Sequence, residues 1–318
     1  MQTEFLQSLK YCRTLPSIPV LAIQILSMCQ DPKADSKKMA ELISHDPAFA
    51  AKLLSLANSG FYARIQHRVT SLTQGVTLLG REAVAVLAFS FSLYRNLRSG
   101  EFGGFDHQRF WRRSILASIA GRAIAKHESY QNYEEAFLGA LLQDIGMLAL
   151  SVVAADHYHE VVEEAAHCHH RLQELERQQF GIDHAEVGAW LAKEWSLPGV
   201  FREAIRLSHL QGGRDSRDET TQIEKCVALS GPIADIWCRP DTEYAVREAI
   251  LLVHALVNQD GAMVEPILME IADSIPMIST LFEIDLGAPE EIQRILEKAK
   301  EILLHATGVE NRPQIATE

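Results

Sequence analysis

Helix-start signals recur along almost the whole chain of 318 residues, and alternating strand patterns are nearly absent. Asp46-Pro47 places an N-cap residue directly before a proline at the first helical position. Ser71 is followed three residues later by Gln74, which is the capping-box pattern. Apolar residues follow these signals at helical spacing, so the sequence predicts an all-α protein. Further start signals stand at Asp106, Asn132 and Asp183.

Changes in composition divide the helical pattern into regions. Residues 1–100 are predicted to form an N-terminal helical bundle, and residues 101–210 a second bundle on which it packs. The polar stretch 211–221 is the best linker, and residues 222–318 are predicted to be additional C-terminal helices that cover part of the second bundle. Apolar spacing in the last helix, about 289–306, leaves a short coiled coil open, but packing on its own protein is favoured because fewer than three heptads are present.

Charge and cysteine content narrow the classes of function. The formal net charge is -12 and the pI is about 5.6, so the surface repels a phosphate backbone and nucleic-acid binding is not expected. Five cysteines without a C-x-x-C pattern predict reduced thiols in a cytoplasmic protein. The first ten residues do not form a signal-peptide pattern. The apolar region 136–155 is interrupted by Gln143 and Asp144, so no membrane association is predicted.

Two motifs carry the chemistry. Residues 141–146 read Leu-Leu-Gln-Asp-Ile-Gly. They resemble the His-Asp-Ile-Gly centre of the HD superfamily of phosphohydrolases, with Gln143 in place of the histidine beside Asp144. Residues 110–114 resemble the segment that supplies the first metal-binding histidine of that superfamily, with Arg113 in the histidine position.

Two later motifs extend the resemblance. Residues 183–188 resemble a later histidine motif of the HD centre and retain His184. Residues 207–210 resemble the final paired-histidine segment. There Ser208 replaces one histidine, and His209 is the other.

The N-terminal region narrows the resemblance to one family. The segments 56–62, 69–72 and 78–80 are similar to those of the HDOD family, and the combined resemblance covers roughly residues 12–210. It implies a helical bundle packed on a degenerate HD-like bundle, in a family that typically lacks the full metal set. It also implies bacterial signal transduction through protein contacts, or through a small ligand in the former active-site cleft. The partners implied are a sensor kinase, a response regulator or a cyclic-dinucleotide enzyme.

The residues themselves argue against hydrolysis. A hydrolytic metal centre needs several imidazoles and carboxylates around one ion, which lowers the pKa of a bound water. Arg113 places a permanent cation where that ion should sit. At about 4 Å and an effective dielectric near 20, each unit-charge pair is worth roughly 4 kcal/mol, and a divalent ion doubles it. We therefore expect no enzyme activity, no metal and no cofactor. The vestigial centre comprises Arg113, Gln143, Asp144, His184 and His209.

Two other functions stay open. The first is a metal-dependent phosphohydrolase with an incomplete ligand set, in which Asp144, His184 and His209 bind one ion. The second is a receptor for a nucleotide second messenger. Metal analysis and calorimetry would distinguish them from a purely regulatory module.

Arg113 has two alternative placements. It either replaces the metal by pairing with Asp144, since a buried carboxylate needs a partner, or it reaches solvent while Asp144 caps the helix beginning near Ile145. Spacing alone does not decide between them.

Other basic residues are weaker candidates for sites. Five histidines crowd one predicted helix, and the last three are expected near its C-terminus, where cations are favoured, rather than at a metal. These five are His157, His159, His167, His169 and His170. Arg64, His67 and Arg68 form a basic loop that could contact a phosphate-bearing ligand or an acidic partner, although a solvated loop is favoured.

Overall fold

The computed structural model describes residues 20–30, 35–59, 68–98, 104–166, 168–209, 220–257 and 261–307, together with Leu9 and Cys12. Throughout these residues the regular structure is helical and no strand occurs, which confirms the all-α prediction. A 3-10 turn, Gly261–Met263, precedes the last two helices. The helices are α1 Val20–Gln30, α2 Ser36–Ser44, α3 Pro47–Ala57, α4 Leu72–Leu79, α5 Arg81–Leu97, α6 His107–His127, α7 Tyr133–Leu142, α8 Ile145–Val153, α9 Tyr158–Glu164, α10 His169–Phe180, α11 His184–Glu194, α12 Gly199–Arg206, α13 Gln222–Cys238, α14 Thr242–Val257, α15 Val264–Phe282 and α16 Pro289–Thr307.

The predicted start signals lie where these helices begin. Asp46 accepts hydrogen bonds from two backbone N–H groups at the start of α3. Capping boxes begin α4 and α11, and Asp106 caps α6 through the Arg109 N–H. Asn132 occupies the N-cap position of α7, but its side chain makes no capping hydrogen bond. Local capping chemistry therefore sets most of these helix starts.

The N-terminal helices pack on the second bundle through α5. Within the N-terminal part, α1 lies against α5, and α4 lies against α2 and α3. Tyr94 on α5 meets Trp111 on α6 edge to face, with ring centroids 5.3 Å apart. The same tyrosine contacts Phe282 at the end of α15 with a centroid distance of 5.8 Å. These buried aromatic residues join the two bundles.

Helix α6 lies at the centre of the second bundle, between α7 and α13, and also contacts α15. Two of the C-terminal helices, α13 and α15, therefore pack directly on α6. The last helix, α16, buries Ile292, Leu296, Ala299 and Leu303 and packs on α14 and α15. That packing agrees with the favoured prediction for this helix. Residues 211–219 of the linker lie outside the described residues.

One apolar stretch, Tyr133–Val153, has the length and hydropathy of a membrane span. It consists of α7 and α8, and 89% of its most apolar window is buried inside the protein. This is the pattern of core helices. In the described part of the chain, Cys168, Cys226 and Cys238 form no disulfide.

Candidate functional site

The site lies where α6, the α7–α8 turn, α11 and the end of α12 converge. They supply Arg113, Asp144, His184 and His209, and Gln143 precedes Asp144 in the turn. Gly146 lets the turn approach α11, because a Cβ atom there would overlap the carbonyl oxygen of His184 and lie 2.7 Å from the Gly188 nitrogen. The structure thus brings the predicted vestigial residues into one buried region.

Arg113 forms a buried ion pair with Asp144, as one of the two placements predicted. Its guanidinium also binds Asp235 on α13, with Nε 2.6 Å from Oδ1 and Nη2 3.3 Å from Oδ2. The alternative placement is wrong, since the Asp144 side chain makes no capping bond to α8. The Arg113 and Asp144 side chains are only 8% and 2% exposed, so solvent screens this pair little.

Charge pairing dominates the protonation of this pair. Burial opposes the charged form of Asp144, but the Arg113 guanidinium and the three neighbouring histidines together outweigh it and hold the pKa of that carboxyl well below its usual range. Burial likewise opposes the charge of Arg113, and Asp144 and Asp235 together raise its pKa. One cation therefore neutralises part of the charge of two buried carboxylates.

The second oxygen of Asp144 faces three histidines. Asp144 Oδ1 lies 3.0 Å from His209 Nε2 and 3.5 Å from His184 Nε2. His169 Nδ1 lies 3.5 Å from the same oxygen. The Nε2 atoms of His184 and His209 are 2.8 Å apart. Asp144 therefore separates a guanidinium on one side from an imidazole cluster on the other.

Glu176 on α10 fixes the orientation of His184. Its Oε2 accepts hydrogen bonds from His184 Nδ1 at 2.6 Å and from the His184 backbone N–H at 2.8 Å. The other carboxylate oxygen, Glu176 Oε1, accepts a hydrogen bond of 2.6 Å from the Tyr158 hydroxyl. Burial opposes the imidazolium form of His184, but the Glu176 and Asp144 carboxylates outweigh it and raise the pKa of His184 to about 10. His184 is therefore protonated at neutral pH.

The other two imidazoles favour the neutral form. Burial lowers the pKa of His169 well below its ordinary value, and the positive charge of Arg113 lowers it further. Burial also lowers the pKa of His209, which the Asp144 carboxylate offsets only in part. Neutral imidazoles are the form that binds metal ions.

Gln143 turns toward α13. Its Nε2 donates to the Ala140 carbonyl at 3.0 Å and to the Ser230 hydroxyl at 3.3 Å. Its Oε1 has no hydrogen-bond partner among the described residues. Gly231 packs against this amide and the Arg113 guanidinium, because a Cβ there would lie 3.0 Å from Oε1 and 2.7 Å from Nη2.

The predicted placement of the clustered histidines was wrong. The single predicted helix is broken between α9 and α10, where Ala166 adopts a left-handed conformation with φ of 47°. His169 is the first residue of α10 rather than near a helix C-terminus, so its ring enters the site. His170 instead lies partly exposed beside Glu174, and His167 lies outside the described residues.

Sequence reasoning missed His169, Asp235, Glu176 and Tyr158 as parts of this site. Asp235 could have been recognised from the sequence, because it is the only charged residue in the apolar run 233–237 and a buried carboxylate needs a partner. In the predicted basic loop, Arg64 and His67 lie outside the described residues, and Arg68 is exposed.

A cleft of about 480 Å³ adjoins the cluster. His169 and His209 line this cleft together with Arg239, Tyr244 and Arg247. Arg239 lies 4.5 Å from the Tyr244 ring centroid, and Arg247 pairs with Glu243. The cleft therefore borders two of the three imidazoles that surround Asp144.

Comparisons with known proteins agree with this fold. An uncharacterized protein of Treponema pallidum (strain Nichols) is 23% identical over 196 residues, which are 61% of this chain but 37% of that protein's length. An HDOD domain protein of unknown function from Geobacter sulfurreducens has a TM-score of 0.66 at 20% identity, covering 90% of this chain and 99% of that one. A candidate phosphohydrolase from Shewanella amazonensis SB2B has a TM-score of 0.58 at 22% identity, covering 96% of each chain.

A candidate signal transduction protein from Marinobacter aquaeolei VT8 also shares the fold. Its TM-score is 0.57 at 20% identity, with coverage of 96% of this chain and 64% of that one. The sequence profile of the HDOD domain matches residues 15–210, which is more than half of the chain. The chain therefore belongs to the HDOD domain family.

Proposed function

We propose that this chain is a non-catalytic regulatory module of bacterial signal transduction. It would act through contacts with signalling proteins, or by holding a small ligand beside its degenerate HD centre. The family membership and the names of structural relatives support a relation to signal transduction. A sensor kinase, a response regulator or a cyclic-dinucleotide enzyme remain the partner classes to test.

The Arg113 guanidinium is the observation that carries this proposal. It lies between Asp144 and Asp235 and is held by both carboxylates. A hydrolytic ion at this position would have to displace a permanently charged side chain from two buried partners. Gln143, which stands where the superfamily has a histidine, is bound to Ser230 and offers only a neutral amide.

Hydrolysis assays test the proposal directly. Purified protein is assayed with bis(p-nitrophenyl) phosphate and p-nitrophenyl phosphate in the presence of Mn²⁺, Fe²⁺ or Zn²⁺, with Asp144→Asn as the matched variant. We expect both proteins to give the rate of buffer with metal alone. Metal-dependent turnover that Asp144→Asn abolishes would establish an enzyme and overturn the regulatory proposal.

A receptor for a small phosphate-bearing ligand is a second candidate, and the adjoining cleft favours it. Arg239 and Arg247 offer cations and Tyr244 offers an aromatic surface. Both arginines are already paired with glutamates, so a ligand must compete for them. Calorimetry with cyclic mononucleotides and dinucleotides tests this candidate. Binding that weakens about tenfold or more in Arg239→Ala supports it. The absence of heat across the panel contradicts it.

A further inference from the structure

We infer that Asp144, His169, His184 and His209 form a closed binding site for one zinc ion, beside the position that Arg113 occupies. Each side chain offers one ligand atom, and these atoms all lie within 4.8 Å of one another. The inference deepens the proposed function and rests on it for the regulatory meaning of the ion, but the metal site itself stands on geometry alone.

The spacing of the ligand atoms fits a tetrahedral ion. Bonds of about 2.0–2.1 Å place tetrahedral ligand atoms about 3.3 Å from one another. The separations from Asp144 Oδ1 are 3.0 Å to His209 and 3.5 Å to His184 and to His169. The His184–His209 separation is 2.8 Å. Small side-chain adjustments around one ion would therefore satisfy all four ligands.

The cluster also contains a buried ring nitrogen that makes no hydrogen bond. His169 Nδ1 is buried and, among the described residues, makes no hydrogen bond. The Nε2 atoms of His184 and His209 also lie 2.8 Å apart, and Asp144 Oδ1 is a carboxylate neighbour that both nitrogens share. A buried imidazole nitrogen that makes no hydrogen bond can donate its lone pair to a metal ion. His169 Nδ1 is such an atom, and it lies beside two other imidazoles.

The residues around His184 support metal binding. Glu176 accepts a hydrogen bond from His184 Nδ1, so Nε2 is the nitrogen directed toward the cluster. The metal-free site holds His184 as an imidazolium, so zinc binding at Nε2 displaces one proton. The Tyr158 hydroxyl in turn binds the other oxygen of Glu176. A carboxylate behind a histidine fixes the ring and raises its basicity as a ligand, as in many zinc sites.

The ligand set explains why such a site would not hydrolyse phosphate esters. Four protein ligands complete a tetrahedral shell, whereas catalytic zinc keeps an open position for water. The four ligands come from the α7–α8 turn, from α10 and α11, and from the turn that follows α12. A bound ion would cross-link these segments, so zinc occupancy would set the rigidity of the wall of the adjoining cleft.

Zinc binding to the full chain is the test. Protein stripped with chelator is titrated with Zn²⁺, and bound metal is measured by mass spectrometry after gel filtration. Co²⁺ serves as a second probe, since tetrahedral Co²⁺ gives strong visible absorption. We expect about one ion per chain, the tetrahedral Co²⁺ spectrum, and a rise in Tm of about 3 °C or more with zinc. Mg²⁺ should compete weakly, because it prefers an octahedral shell of oxygen ligands.

Variants identify the ligands. His169→Ala is expected to lower zinc affinity at least about 100-fold, and Glu176→Gln, a positioning change, about 10- to 100-fold. His170→Ala, one residue away and directed toward Glu174 instead, is the matched control and should bind like the unsubstituted protein. Far-UV circular dichroism checks that each variant is folded.

The outcomes separate the two proposals. Failure to bind zinc or cobalt overturns the metal site and leaves the regulatory proposal standing. Binding that His169→Ala and His209→Ala leave unchanged also overturns it. Binding at this site together with metal-dependent phosphoester turnover keeps the metal site but overturns the non-catalytic function.

Discussion

Arg113 is the residue on which the stability of the site depends most. Its guanidinium binds two carboxylates, Asp144 and Asp235, and the Arg113 and Asp144 side chains are nearly inaccessible to solvent. Removing one member of a buried ion pair leaves an uncompensated charge, which costs about 3–5 kcal/mol. Exposed pairs contribute far less, because water screens both charges.

Arg113→Met should therefore lower the free energy of unfolding by about 3–5 kcal/mol at pH 7. The loss should shrink toward pH 5, because the Asp144 carboxyl, without the guanidinium that lowers its pKa, would then take up a proton more readily. Arg247→Met, which removes an exposed pair with Glu243, is the control and should change stability by less than about 0.5 kcal/mol. Urea unfolding at pH 7 and pH 5 measures the free energy of unfolding of each variant. Equal losses for Arg113→Met and Arg247→Met would contradict the expectation.

Gly146 is a second position where one atom decides the packing. A Cβ there would collide with the His184 backbone, which is part of α11 and has no freedom to move aside. Gly146→Ala should destabilise the protein by about 2 kcal/mol or more through forced separation of α8 and α11. Gly199 is the control, because a Cβ atom at that residue would have no neighbouring atom within 4 Å, and Gly199→Ala should cost less than about 0.5 kcal/mol. Thermal unfolding measures the loss of stability in Gly146→Ala and in Gly199→Ala, and equal losses would contradict the expectation.

At the scale of the elements, α13 completes the second bundle. It lies along α6 and carries Asp235, the second partner of Arg113. The HDOD profile ends at residue 210, before this helix begins. The family match alone therefore leaves out a helix that covers the core and neutralises a buried cation.

A chain that ends at residue 219 should lose cooperative unfolding. It would expose the apolar face of α6 and leave Arg113 with one carboxylate, so we expect aggregation or a molten state. A chain that ends at residue 307 keeps all described helices and is the control. Gel filtration and near-UV circular dichroism distinguish the two. A monomeric 1–219 chain with an unchanged Tm would show that α13 is dispensable.

The helices and the site differ in how far the sequence predicts them. Capping residues such as Asp46 and Ser71 act within one turn, so local sequence predicts their helices. The Arg113–Asp144 pair was one of two alternatives, because sequence spacing does not show the direction of either side chain. The place of His169 in the site was not predicted. The helix break at Ala166, which puts His169 at the start of α10, has no glycine or proline to mark it in the sequence. Asp235 is 122 residues from Arg113, and only tertiary packing brings them together.

At the scale of the whole molecule, α13 ties the C-terminal helices to the centre of the protein. Cys226 lies on this helix and is only 2% exposed. Burial raises the pKa of its thiol to about 12. Because the thiolate is the reactive form, a raised pKa leaves almost no reactive species at neutral pH in the folded protein. Unfolding returns the pKa toward its ordinary value and removes the steric protection.

Iodoacetamide labelling at pH 8 should therefore report when the C-terminal helices open. If the chain unfolds as one unit, Cys226 becomes labelled over the same urea range in which far-UV circular dichroism is lost. Cys168, in the partly exposed segment before α10, is the internal control and should be modified in native buffer. Peptide mass spectrometry resolves the two thiols. Labelling of Cys226 at urea concentrations below the circular dichroism transition would show instead that the C-terminal helices unfold independently, which the packing of α13 on α6 argues against.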